Sequence, residues 1–112
     1  MDDGDKPLYQ AADAAAASFP MAALGIAARP FEASGATFAA AEPLVRAVVD
    51  NAFLLGPDAV LTGPIARGHL GTVAAEVAAV ERSVAELAPA FRDMSRATGV
   101  VVGRVDDLEG VL

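Results

Sequence analysis

Apolar residues recur at helical spacing along most of the chain. From Leu8 to Ala28, the positions Leu8, Ala12, Ala15, Phe19, Ala22/Ala23 and Ile26 fall on roughly one face and predict a first helix. Asp5 stands where it can cap that helix, and Pro7 sits in the first turn, where a missing N–H costs nothing. Pro20 is expected to kink the helix near Ala16. Arg29-Pro30 is expected to end it, because a residue before proline is pushed out of the α region. Residues 31–35 read as a connection, with Ser34 and Thr37 as alternative caps. Phe38 to Ala41 follow, and then a second helix from Pro43 to Leu55. Its Leu44, Val45, Val48, Ala52 and Leu55 keep the i, i+3, i+4, i+7 rhythm, and Gly56-Pro57 stops it.

Residues 58–71 break this pattern. Two Gly-Pro pairs, Gly56-Pro57 and Gly63-Pro64, together with Gly68 and Gly71, mark an organising loop. Thr72 is expected to cap a helix running to about Arg82, with Val73, Val77 and Val80 inward and Glu76 and Glu81 outward. Two starts then compete for the next helix. Ser83-Val84-Ala85-Glu86 has the form of a capping box, whereas Pro89 favours a start at the proline itself. Leu87, Phe91, Met94, Thr98 and Val101 face the core either way. After Gly99, Val100-Val101-Val102 favours extended structure.

These elements define an all-α chain, a single helical bundle of about five helices. Residues 1–5 form an expected mobile acidic lead, 6–99 the helical domain and 100–112 a tail of unassigned structure. With 54% hydrophobic but only 5% aromatic residues, much of the apolar content is alanine, which contributes little buried area per residue. A thin core of this kind predicts an oligomer or an interdomain surface.

The formal charge of −7 is concentrated at the ends. Asp2, Asp3, Asp5, Asp106, Asp107 and Glu109 are six of the fifteen acids, so the body is close to neutral. Without a cluster of cations to displace counterions, nucleic acid is not an expected partner. The absence of cysteine removes disulfides, a thiolate nucleophile and thiolate zinc sites, and fits a cytoplasmic location. Residues 11–28 are nearly apolar, but Asp13, Pro20 and Gly25 interrupt them and the preceding residues are acidic. The reading is a buried helix, with no membrane partner.

The organising loop carries the candidate chemistry in Leu61-Thr62-Gly63-Pro64-Ile65-Ala66-Arg67-Gly68. Thr62 offers a hydroxyl, Gly63 lets backbone approach a bound group, Pro64 rigidifies the turn, and Arg67 can clamp a carboxylate or phosphate bidentately. On residue chemistry alone the commoner reading is structural: glycine and proline turn the chain, and Arg67 pairs with a helix carboxylate.

This run, with Tyr9 in Lys6-Pro7-Leu8-Tyr9, Asp50-Asn51 before Leu55-Gly56-Pro57, and Phe91-Arg92 through Ala97-Thr98, resembles the C-terminal helical domain of a Rossmann-like oxidoreductase family. That domain has no assigned function. It is similar in architecture to the C-terminal domains of 6-phosphogluconate dehydrogenase, ketopantoate reductase and pyrroline-5-carboxylate reductase. The resemblance covers roughly Lys6 to Gly99. It implies a module that closes over the nicotinamide end of NAD(P), supplies substrate contacts and builds a homodimer. Thr62, Gly63, Pro64, Arg67 and Gly68 would form the substrate- or cofactor-side loop, with Tyr9, Gln10, Asn51 and His69 as polar contacts.

Three positions depart from the family pattern. Gln10 replaces a histidine and cannot shuttle a proton near neutral pH. Ser18 stands in place of an asparagine, and His69 in place of an acid. No Gly-x-Gly-x-x-Gly turn follows a strand, so no dinucleotide is expected to bind this chain alone. The expected alternatives are a truncated chain, a split product that pairs with a separate Rossmann domain, and a stand-alone binding protein. No catalytic residue is assigned, and no metal site is expected from Asp106, Asp107 and Glu109 in the tail. The competing function class is a stand-alone helical protein-interaction module.

Overall fold

A computed structural model describes residues 3–112. Five α-helices, with no strand among the described residues, confirm the all-α class. They are α1 (Lys6–Ala33), α2 (Glu42–Leu55), α3 (Pro57–Val60), α4 (Leu70–Ser83) and α5 (Ala88–Val102). Short 3-10 turns at Asp3–Asp5, Phe38–Ala41, Ala85–Leu87 and Val105–Leu108 punctuate them. Met1 and Asp2 of the expected acidic lead lie outside the described residues.

The helix α1 differs most from the sequence pattern. It runs through Pro30 to Ala33 instead of ending at Arg29. The lost backbone bond at Pro30 is offset by packing, because Pro30 and Phe31 are half-buried near Phe91 and Met94 of α5. Ser34 closes this end, its hydroxyl donating to the Phe31 carbonyl at 2.8 Å. Asp5 occupies the N-cap position but makes no side-chain cap bond.

The expectation that α1 is buried fails. No residue of α1 is buried, and residues 6–23 are exposed throughout. The remaining helices cover only its C-terminal third, leaving the rest as an arm. The radius of gyration, 15.4 Å, accordingly exceeds the about 13 Å expected of a compact chain this long. By length and composition alone, α1 is also long and apolar enough to cross a membrane.

The helix α2 matches its predicted span and stops at Gly56, whose φ of +94° only glycine adopts without strain. Its apolar stripe is largely bare. Leu44 and Leu55 are exposed, and Val45 and Ala52 are half-buried.

The core lies at the other end of the chain. Val73, Val77 and Val80 of α4 are buried as predicted, and Val80 packs with Val84, Ala88, Leu87 and Phe91. Of the two competing helix starts, the proline wins. The chain passes through Val84 and the 3-10 turn, and Pro89 sits in the first turn of α5. Leu87, Phe91, Met94 and Thr98 are at least half-buried, but Val101 is exposed, against expectation.

The chain beyond Gly99 is helical where extended structure was expected. The α5 helix continues through Val102 and closes on Gly103 in the left-handed region, φ +71°. The Gly103 N–H bonds the Val100 carbonyl and the Arg104 N–H the Gly99 carbonyl, a Schellman closure. Leu108, at 1% exposure, then packs back against Gly99, so this segment belongs to the core.

Candidate functional site

The motif loop is a single helical turn. The Arg67 N–H bonds the Gly63 carbonyl at 3.1 Å, Gly68 bonds Ile65 at 3.1 Å, and His69 bonds Pro64 at 2.8 Å. With Gly68 at φ +70°, the last two bonds make a second Schellman closure, which consumes the Pro64 and Ile65 carbonyls. The Ala66 carbonyl accepts from the Arg104 Nε at 2.9 Å. The guanidinium of Arg104 also covers Gly68, where an added Cβ would meet Nη1 at 2.9 Å. Gly68 is therefore required by its backbone conformation, whereas the guanidinium stands at the end of a flexible side chain that can move aside.

His69 serves as the N-cap residue of α4, so that helix begins at Leu70, two residues before the expected cap at Thr72. His69 makes no side-chain cap bond.

Of the predicted site residues, Thr62, Gly63, Pro64, Arg67 and Gly68 share one turn. Gly63 and Pro64 line a groove of about 250 Å³ together with Leu61, Ile65 and Ala66. Thr62 and Arg67 belong to the same turn but are exposed and do not line this groove. Arg67 has no ion-pair partner among the described residues, so the structural pairing considered for it is not formed. His69 and Asn51 are exposed. Tyr9 and Gln10 lie near the start of α1, and about 20 Å of helix at ~1.5 Å per residue separates Tyr9 from Ala23, where packing on α5 begins.

The far wall of the groove comes from Glu76 of α4 and from Phe91, Met94, Ser95 and Thr98 of α5. Sequence reasoning assigned Glu76 only an outward position and gave Ser95 no setting. The available signal was that Glu76 stands three residues after Val73 and four before Val80, on the flank of the buried stripe. Glu76 is exposed at the groove's rim; the limited desolvation by neighbouring atoms raises its pKa above the ordinary glutamate value, and its carboxylate has no ion-pair or hydrogen-bond partner among the described residues.

A larger hollow of about 600 Å³ lies where Met21 and Leu24 of α1 face Phe38, Val45 and Val49, and it shares no residue with the loop. Among the described residues no cluster of three or more metal-ligating side chains occurs.

Taken together, a helical bundle with a bare arm and a glycine-closed loop over a shallow groove defines a module whose apolar surface is incompletely covered by its own chain. Residues 1–98 match the family described as a domain of unknown function (DUF2520), and the chain belongs to that family. No curated protein and no solved structure matches it.

Proposed function

We propose that this chain is the substrate-side and dimerisation domain of a Rossmann-type NAD(P)-dependent oxidoreductase-like protein, the dinucleotide-binding part lying outside the residues described. The observation carrying this reading is the uncovered apolar surface. Leu8, Tyr9, Phe19 and Met21 project from the α1 arm, and Leu44, Phe53, Leu54 and Leu55 from α2. An exposed set of this extent marks an interaction surface, and a second copy, or the cofactor-binding part, would cover it. Arg67, exposed and unpaired, is free to hold an anionic group presented from outside the chain, with Thr62 beside it.

The experiment is light scattering on the purified chain and on Phe19→Glu. A dimer that the substitution converts to monomer supports the reading, whereas a wild-type monomer at high concentration removes the dimerisation half. Flotation with phosphatidylcholine vesicles separates the remaining possibility. Stable co-flotation identifies α1 as a membrane helix and sinks the proposal. Tight NADPH binding by the chain alone would contradict the placement of the phosphate site elsewhere.

A second reading, a helical interaction module without an enzymatic role, is favoured by one observation: Arg67 and Thr62 are exposed and stand outside the groove beneath their own loop. Gly63 has open space where a Cβ would stand, so Gly63→Val and Arg67→Ala test surface recognition without disturbing the turn. If ligand or partner binding survives both changes, the loop is structural and the first reading loses its site.

A further inference from the structure

Phe91 is the meeting point of three concavities. One is the groove of about 250 Å³ under the motif loop, another of about 320 Å³ lies between the end of α1 and α4, and a third of about 390 Å³ lies between α1 and α5. Glu76 lines the first two and is the sole ionisable side chain lining any of the three.

The remaining polar side chains in the groove under the loop have already spent their hydrogens. The Ser95 hydroxyl donates to the Phe91 carbonyl at 2.9 Å, and the Thr98 hydroxyl to the Met94 carbonyl at 2.9 Å. Each hydroxyl oxygen keeps lone pairs but has no hydrogen to offer. The polar side chains lining this groove are therefore all acceptors, one of them anionic, and no cationic side chain is among the described residues that line it.

We propose that this groove binds a small organic cation, a primary ammonium on an apolar body. The ammonium is held by the Glu76 carboxylate and the Thr98 hydroxyl oxygen, and the body lies against Phe91, Met94 and Ile65. An ammonium supplies three donors and no acceptor, which is the complement of this lining. A carboxylate ligand would meet Glu76 with like charge, and a neutral apolar ligand would leave Glu76 partly desolvated and unpaired. The volume falls below the ~300–1,000 Å³ of sites for drug-sized molecules, so the ligand is small. The site uses neither Arg67 nor Tyr9 and stands independently of the oxidoreductase reading.

The test is a nuclear magnetic resonance titration of the isotopically labelled chain with benzylamine, benzyl alcohol and benzoate. Benzylamine is expected to shift the amides of Gly63, Glu76, Met94 and Thr98 saturably. Benzyl alcohol, with one neutral donor in place of three charged ones, should bind about tenfold more weakly or worse, and benzoate should not bind. Glu76→Gln, close in shape and checked for folding by circular dichroism, should weaken benzylamine by a similar factor. Benzoate or benzyl alcohol binding as tightly as benzylamine, an unchanged affinity in Glu76→Gln, or shifts confined to other surfaces would each overturn the proposal. The three-ligand comparison decides it on the unmodified chain.

Discussion

Arg104 donates from its Nε to the carbonyl of Ala66, thirty-eight residues earlier, at 2.9 Å. The bond joins two Schellman closures. Gly68 closes the turn that presents Pro64 to Arg67, and Gly103 closes α5 so that the next residue turns back toward that loop. Asp107 steadies the guanidinium through a contact at 3.4 Å. The loop's conformation thus depends on a segment that begins after residue 98, where the family match ends.

Arg104→Ala should release the Ala66 carbonyl and uncover Gly68. The expected cost is about 1–2 kcal/mol, toward the lower part of the range for bonds made by a charged group, because the side chain is partly exposed. Urea unfolding measures the cost. Amide hydrogen exchange should accelerate at Arg67, Gly68 and His69, whose N–H groups close the turn, while Val77 and Val80 stay protected. Uniform acceleration across α4 would show that Arg104 supports the whole fold and not the loop.

Gly99 and Leu108 make the second long-range lock. A Cβ at position 99 would stand 2.7 Å from the Leu108 Cδ1 and 3.1 Å from the Val105 Cα, so the side chain has nowhere to go without moving backbone. Gly99→Ala is expected to destabilise by about 1–3 kcal/mol despite the better helix propensity of alanine. Leu108→Ala should cost about 2–5 kcal/mol. Denaturant unfolding of the two single variants and the double variant tests whether they share one contact. A double-variant cost well below the sum of the singles is the expected result.

The helical skeleton was legible because periodicity marks α2, α4 and α5, with punctuation agreeing at both ends only for α2. Two local rules failed where packing outweighed them. The rule that a helix ends before proline lost at Pro30 to the burial of Phe31 beside α5. The extended preference of Val100 to Val102 lost to the contacts of Gly99 with Val105 and Leu108. Gly103, placed to close a helix, was the sequence signal for the second. The bareness of α1 was not legible, since periodicity identifies an apolar face without saying whether the same chain covers it.

Less of the site could be read. Glycine and proline spacing located the turn, but the groove beneath it is completed by Glu76, Ser95 and Thr98, from ten residues (Ala66 to Glu76) to thirty-seven (Leu61 to Thr98) away in sequence. No local pattern joins such positions. Tyr9, Gln10 and Asn51 entered by resemblance; Tyr9 and Gln10 stand on the exposed start of α1, and Asn51 is exposed on α2.

Glu76 gives stability a distinctive pH dependence. Burial raises its folded-state pKa, so the folded chain holds its proton more tightly than the unfolded one. Its contribution is complete below the unfolded value of about 4.3 and is lost as pH rises through the folded value. Glu86 acts oppositely. A backbone hydrogen bond within its own residue and the ion pair with Arg29 lower its pKa, so its contribution is present above the unfolded value and is lost as pH falls through the lowered one. Comparing wild type with Glu76→Gln isolates the first effect. The variant should be the more stable at pH 7, with the gap closing toward pH 4 in urea titrations. A gap that widens on acidification would mean that Glu76 is stabilised as the carboxylate.

Phe53 is 90% exposed at the end of α2, flanked by Leu54 and Leu55. A phenylalanine this bare gains almost nothing from folding of its own chain, so Phe53→Ser should leave monomer stability within about 0.5 kcal/mol of wild type. At an interface the same ring would be a principal anchor, because aromatic side chains carry a disproportionate share of binding energy and truncation of such an anchor costs ~2 kcal/mol or more. The two roles separate experimentally. Sedimentation equilibrium should show self-association of the wild type weakened at least about tenfold in Phe53→Ser, while the unfolding midpoint at low protein concentration stays unchanged. Equal association of both proteins would exclude this end of α2 from the interface and leave the α1 arm as the remaining candidate surface.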